Sequence, residues 1–151
     1  MDDRLVSAST VVDAPAATVF AILADPRQHP RIDGSGSVQD IISAPDRLTK
    51  GARFSVAMRL FGAPYTVTNR VVEFEPERLI AWKHYAPQRW RYELEPAPGG
   101  GTRVTETFDY SRYGRAGGRV IELLGFPERN RRGIEGTLSR LKAAAESDAA
   151  D

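Results

Sequence analysis

The chain has 151 residues with 21 Lys plus Arg against 20 Asp plus Glu, a formal net charge of +1 that provides no global field for nucleic acid or an anionic membrane. Its 27% charged and 41% hydrophobic residues match an ordinary folded domain and exclude disorder and fibrous structure, and the length fits one domain over residues 1–151. Cysteine is absent, which excludes disulfides, thiolate metal sites and a thiol nucleophile.

Leu5 to Val12, rich in Val, Ser and Thr, reads as a strand ended by Asp13-Ala14-Pro15. Ala16 to Ala24 places Val19, Phe20 and Leu23 at helical spacing, with Pro15 at its start and Asp25-Pro26 as its stop. A short helix or turn from Arg27 to Ile32 precedes the loop Gly34-Ser35-Gly36-Ser37. Strands are predicted at Val38–Ser43, Ala52–Leu60, Tyr65–Phe74, Arg78–Tyr85, Arg89–Glu95 and Thr102–Ser111, with Gly62-Ala63-Pro64 turning the third into the fourth. Tyr113 to Gly125 holds four glycines together with Val120, Ile121, Leu123 and Leu124, apolar residues that need cover and suit a lid or short helix over an opening. From Pro127 on, Ile134, Leu138, Leu141 and Ala145 form one face of a helix running to about Glu146, with a frayed tail from Ser147 to Asp151.

Alternation in the central strands is the strongest signal. Phe54, Val56 and Met58, then Ile80, Trp82 and His84, then Trp90, Tyr92 and Leu94, then Val104, Phe108 and Tyr110 share one face. Arg53, Ser55, Arg59, Lys83, Arg89, Arg91, Glu93, Arg103, Thr105 and Asp109 share the other. This pattern describes an antiparallel sheet with one solvated and one interior face. Seven strands and one long amphipathic helix combine most simply as an α+β domain: a curved antiparallel sheet wrapped around the C-terminal helix, with one or two short helices after strand 1. The helix offers too few large apolar groups to cover the aromatic set, so some aromatic surface is expected to line a cavity.

The order resembles the helix-grip fold of the START and Bet v 1-like (SRPBCC) superfamily, specifically its polyketide cyclase/dehydrase and lipid-transport group. The resemblance is carried by Val11-Val12-Asp13-Ala14-Pro15, Val19-Phe20, Leu23-Ala24-Asp25-Pro26, Leu79-Ile80-Ala81-Trp82 and Gly101-Thr102-Arg103-Val104-Thr105-Glu106-Thr107. It covers nearly the whole chain and implies the fold more tightly than the function, since the superfamily includes lipid carriers, hormone receptors and cyclases.

Only two histidines occur, His29 and His84, and no spacing marks a metal site, a serine-nucleophile elbow or a phosphate-binding glycine loop. No metal or cofactor is expected. The leading expectation is therefore a binding module for a small hydrophobic or aromatic molecule, such as a lipid or polyketide-like compound. Phe54, Met58, Trp82, Trp90 and Phe108 would supply apolar area, and His84, Tyr92, Glu106 and Tyr110 would orient its polar groups. Glu106 falls on the inward set, where it is paired (Arg70 being a candidate), faces a wet cavity, or is turned outward by a bulge. The alternatives are a cyclase/aromatase-type enzyme drawing acid and base groups from His84, Glu106, Tyr92 or Arg70, and a toxin-like or regulatory role through protein contacts. The opening Met-Asp-Asp-Arg lacks a basic segment followed by an apolar run, and no stretch of roughly 18 apolar residues occurs, so the cytoplasm is the expected address and stable membrane insertion is not expected.

Overall fold

Strand β1 (Leu5–Val12) leads through helix α1 (Ala16–Leu23), a 3₁₀ turn (Pro26–Gln28) and the short helix α2 (His29–Ile32) into a run of six hairpin-linked strands. These are β2 (Val38–Ser43), β3 (Arg53–Leu60), β4 (Ala63–Glu75), β5 (Leu79–Lys83), β6 (Arg89–Pro96) and β7 (Thr102–Asp109). A 3₁₀ turn (Ser111–Tyr113), helix α3 (Gly114–Leu123) and the long helix α4 (Phe126–Ala150) complete the chain. The computed structural model describes residues 4–84 and 87–150; Tyr85, the expected end of the fifth strand, lies outside them. The seven strands form one antiparallel sheet in the order β1-β7-β6-β5-β4-β3-β2. The first strand thus returns to pair with the last, and α4 lies against β1 and β7.

Two local devices set the register. Phe61 and Gly62 both adopt the left-handed region, φ 50° and 79°, and make a two-residue hairpin turn whose twist matches the flanking strands. The expected turn at Gly62-Ala63-Pro64 is therefore displaced toward the N-terminus, and Ala63 and Pro64 already pair with Leu60 and Arg59. In β4 the pairing slips at Val72, between Val71 opposite Trp82 and Glu73 opposite Ala81. The extra residue restores the alternation with Phe74 opposite Ile80. Phe74 then meets Phe20 of α1 edge-on at 5.6 Å.

Helix α4 buries Ile134, Leu138, Leu141 and Ala145, as its spacing predicts, together with Thr137 and Ala144. It continues past Glu146 to Ala150 because side chains tie its end down. Asp148 pairs with Arg31 of α2 at 2.8 Å, and Glu146 accepts from the Asp13 backbone N–H at 2.8 Å and from Lys142 at 2.7 Å. The loop after α2 sits directly on the helix backbone. A Cβ on Gly34 would lie 2.3 Å from the Gly136 carbonyl carbon, and the Gly34 N–H donates to Thr137 Oγ1 at 2.9 Å. Glycine at both points permits that approach.

Two expectations change. Asp109, expected on the solvated face, is buried, because its carboxylate caps the turn after β7 by accepting from the Ser111 backbone and hydroxyl at 2.9 and 2.6 Å and from Arg112 at 3.0 Å. The glycine-rich segment does form a helix, but it does not turn its apolar residues inward: Val120, Leu123 and Leu124 are 55%, 76% and 65% exposed. Its Gly118 face, closed against Arg4 and Tyr110, and the half-buried Ile121 pack on the body, and Glu122 accepts from the Tyr110 hydroxyl at 3.3 Å.

Candidate functional site

The strand register lines up the inner face in rows. One row runs Val6, Phe108, Trp90, Trp82, Val71 across β1, β7, β6, β5 and β4; the next runs Ala8, Glu106, Tyr92, Ile80, Phe74. The rings of these rows touch in two groups. Trp82 is tilted on Tyr92 at 5.5 Å and meets Phe54 edge-on at 5.6 Å, while Trp90 lies 4.8 Å from Phe108, which stacks on Tyr110 at 5.5 Å. Register places the two indoles opposite each other across the β5–β6 hairpin, which joins the groups. Phe54, Tyr92, Phe108 and Tyr110 are buried; Trp82, Trp90 and Met58 are half-buried.

His29, considered in the sequence only as a metal ligand, belongs to this wall. It stacks on Trp82 at 4.8 Å and meets Phe54 edge-on at 5.4 Å. Its Nε2 is 2.9 Å from the Leu23 carbonyl, which can only accept, so that nitrogen carries the proton. Burial lowers its pKa and keeps the ring neutral. Strand alternation could not reveal it, because it arrives from α2.

Glu106 faces inward at 3% exposure. The Tyr92 hydroxyl bonds one carboxyl oxygen, and the buried Oε1 has no hydrogen-bond partner among the described residues. Arg70, the partner considered from the sequence, is exposed in β4 between Arg53 and Lys83 and does not serve. Burial is the main cause that pushes Glu106 up to about 8; Tyr92 opposes it and the negative charge of Asp33 adds to it. Burial, then Glu106, raise Tyr92 well above the usual phenol value. Asp33 opens the glycine-serine loop, where its carboxylate accepts from the Ser35 backbone at 3.1 Å, the Ser35 hydroxyl at 2.7 Å and the Val38 backbone at 3.0 Å. The loop Gly34-Ser35-Gly36-Ser37 was legible in the sequence; that Asp33 at its start lies near Glu106 was not, because the seat of the loop on α4 decides it.

His84 sits at the end of β5, half-buried, with its pKa lowered by burial and by Lys83. Gln88 links it to the other side of the fold: its amide nitrogen donates to His84 Nε2 at 3.1 Å, and its Oε1 accepts from the Tyr113 hydroxyl. The bridge ties the β5–β6 connection to the turn that precedes α3.

On the outer face Glu73 accepts from Arg91 at 2.9 Å and Arg89 at 3.2 Å, across the small Ala81 that separates them in register. A depression of about 350 Å³ beside this cluster is lined by Glu73, Arg78, Arg91 and Glu95, and another of about 400 Å³ by Asp40, Met58, Arg59 and Tyr65. Neither is lined by Trp82 or Trp90. Among the described residues no group of three or more His, Asp or Glu is placed to hold a metal ion, and no helix is long and apolar enough to cross a membrane.

Residues 4–146 match the family model described as polyketide cyclase / dehydrase and lipid transport. The uncharacterized protein Rv0088 of Mycobacterium tuberculosis is 48% identical over 138 residues, which are 90% of this chain and 62% of that protein. The chain thus spans less than two thirds of the curated relative it matches. Among solved structures, protein NE0264 from Nitrosomonas europaea superposes with a TM-score of 0.72 at 18% identity over 100% of both chains. An AHSA1-like protein from Aeromonas hydrophila gives 0.69 at 20% identity over 97% of this chain and 95% of that one. With the helix-grip topology and the match over nearly its full length, the chain belongs to the polyketide cyclase/dehydrase and lipid-transport family.

Proposed function

We propose that residues 1–151 act as one helix-grip domain that binds a small hydrophobic or aromatic molecule, lipid or polyketide-like, between the curved sheet and α4, in the cytoplasm. One observation carries this reading: two indole rings on the inner face, Trp82 and Trp90, remain partly exposed although their row neighbours Phe108 and Val71 are buried. Partly exposed flat apolar area, one row of the sheet from Tyr92 and Glu106, suits an apolar ligand with a polar group. The family's description as lipid transport supports the same class of ligand.

Mass spectrometry of the protein purified under native conditions is expected to show a copurifying small molecule, and hydrophobic compounds are expected to change the tryptophan fluorescence. A ligand-free protein whose fluorescence ignores such compounds overturns the proposal. Glu106 gives one observation in favour of a second, enzymatic reading of the cyclase/dehydratase kind. A carboxyl raised to about 8 is a proton donor at neutral pH. Turnover of a model poly-β-ketone that disappears in Glu106→Gln would convert the carrier into a catalyst.

A further inference from the structure

We propose that Glu106 is the polar anchor of the bound molecule, and that this molecule presents an uncharged oxygen acceptor such as a ketone, ester or amide carbonyl, and no carboxylate or phosphate. The proposal rests on the ligand-binding reading above and names the class of ligand within it.

Glu106 lies near the middle of the inner face, flanked in register by Ala8 of β1, which has no polar side chain, and by Tyr92 of β6. One oxygen is occupied by the Tyr92 hydroxyl, while Oε1 is buried with no partner among the described residues. An unmet buried polar atom is costly, and natural domains hold few of them. A domain whose only task here was packing would do better with Leu or Met at this position. The sheet supplied no cation to meet the group: Arg53, Arg70, Lys83, Arg89 and Arg91 all belong to the outward set, where Arg89 and Arg91 are engaged by Glu73.

The charges that do reach Glu106 set the ligand's sign. Asp33, held at the start of the loop that rests on α4, is a second acid acting on the same carboxyl. A fatty-acid carboxylate or a phosphate headgroup would meet the negative charge of Asp33 with no cation beside it, and is disfavoured by that repulsion and by unrelieved desolvation. An ammonium would require Glu106 to ionise, so that both charges would have to be desolvated in an aromatic interior. A neutral acceptor asks for neither. Burial keeps the carboxyl protonated at neutral pH, and because Tyr92 donates to one oxygen, the proton is free to be donated from Oε1. The site therefore offers a single hydrogen-bond donor set among rings.

The test compares ligands of one chain length by calorimetry at neutral pH: decan-2-one, decanoate and decylamine, with Nile red as a probe that needs no anchor. The ketone is expected to bind at least tenfold more tightly than decanoate and decylamine. Glu106→Gln, whose amide can still donate, is expected to keep the ketone affinity within about threefold, and Glu106→Leu to lower it at least tenfold while Nile red still binds. Binding of the ketone is also expected to shift an infrared band in the region of protonated carboxyl groups that Glu106→Gln lacks. Decanoate or decylamine matching or exceeding the ketone, or an unchanged ketone affinity in a folded Glu106→Leu, overturns the anchor. If all three bind alike the ligand-binding reading stands and the anchor is overturned; if neither they nor Nile red bind, the ligand-binding reading fails as well.

Discussion

Raising the pH should weaken this fold through Glu106, and Glu106→Gln should remove that weakening. The group titrates at about 8 in the folded chain against an ordinary value of 4.5. Between those values the folded state holds a proton that the unfolded state has lost, so the stability present below about pH 4.5 declines as pH rises and is fully lost above about pH 8. At about 1.4 kcal/mol per pH unit, the loss is about 3 kcal/mol at pH 7 and about 5 kcal/mol above pH 8. That is a large part of the roughly 5–15 kcal/mol that holds a domain together. His29 and His84, lowered by burial, act in the opposite direction: stability is gained as pH rises toward their ordinary value of 6.5. Both are present in wild type and variant, so they cancel in the difference. Urea unfolding of the two proteins, followed by circular dichroism from about pH 5 to 8.5, should show the variant gaining on wild type by about 1.4 kcal/mol per pH unit until about pH 8 and then levelling. A difference independent of pH would mean that Glu106 ionises as a solvated carboxylate and does not lie inside the sheet.

Three further outcomes follow from the packing. Leu138, 3% exposed on the inner face of α4, should not tolerate Asp: an unpaired charge there costs several kcal/mol, and the cooperative melt should be lost, whereas an unshifted melt would remove α4 from the grip. Gly34→Ala places a methyl group 2.3 Å from the backbone of Gly136 and must lift the loop off α4, with an expected loss of about 1–3 kcal/mol in chemical denaturation; a neutral result would refute the close seat. Leu123→Ser and Leu124→Ser should each change stability by less than about 0.5 kcal/mol, since both side chains face solvent, and a loss several times larger would show that α3 covers the body through them.

What the sequence determined by itself were the features that repeat locally. The period of two from Phe54 to Tyr110 chose the inward rings, and the spacing of Ile134, Leu138, Leu141 and Ala145 chose the face of α4, because side-chain direction along a strand or helix is a property of the backbone alone. The grip followed, since the long helix and the sheet each carried a large apolar face that the other could cover. Tertiary structure decided what depends on neighbours distant in the chain. His29 entered the aromatic wall from α2, outside any strand pattern, and Asp33 reached Glu106 only because Gly34 and Gly136 let two backbones meet. Val120, Leu123 and Leu124 carried an apolar signal but no partner surface lay over them, while Asp109 carried a polar signal and was buried by the turn it caps. The protonation of Glu106 is of the same kind: alternation can aim a carboxyl inward, but its charge is set by the sum of desolvation and of groups brought from β6 and from the loop on α4, a sum that exists only once the chain is folded.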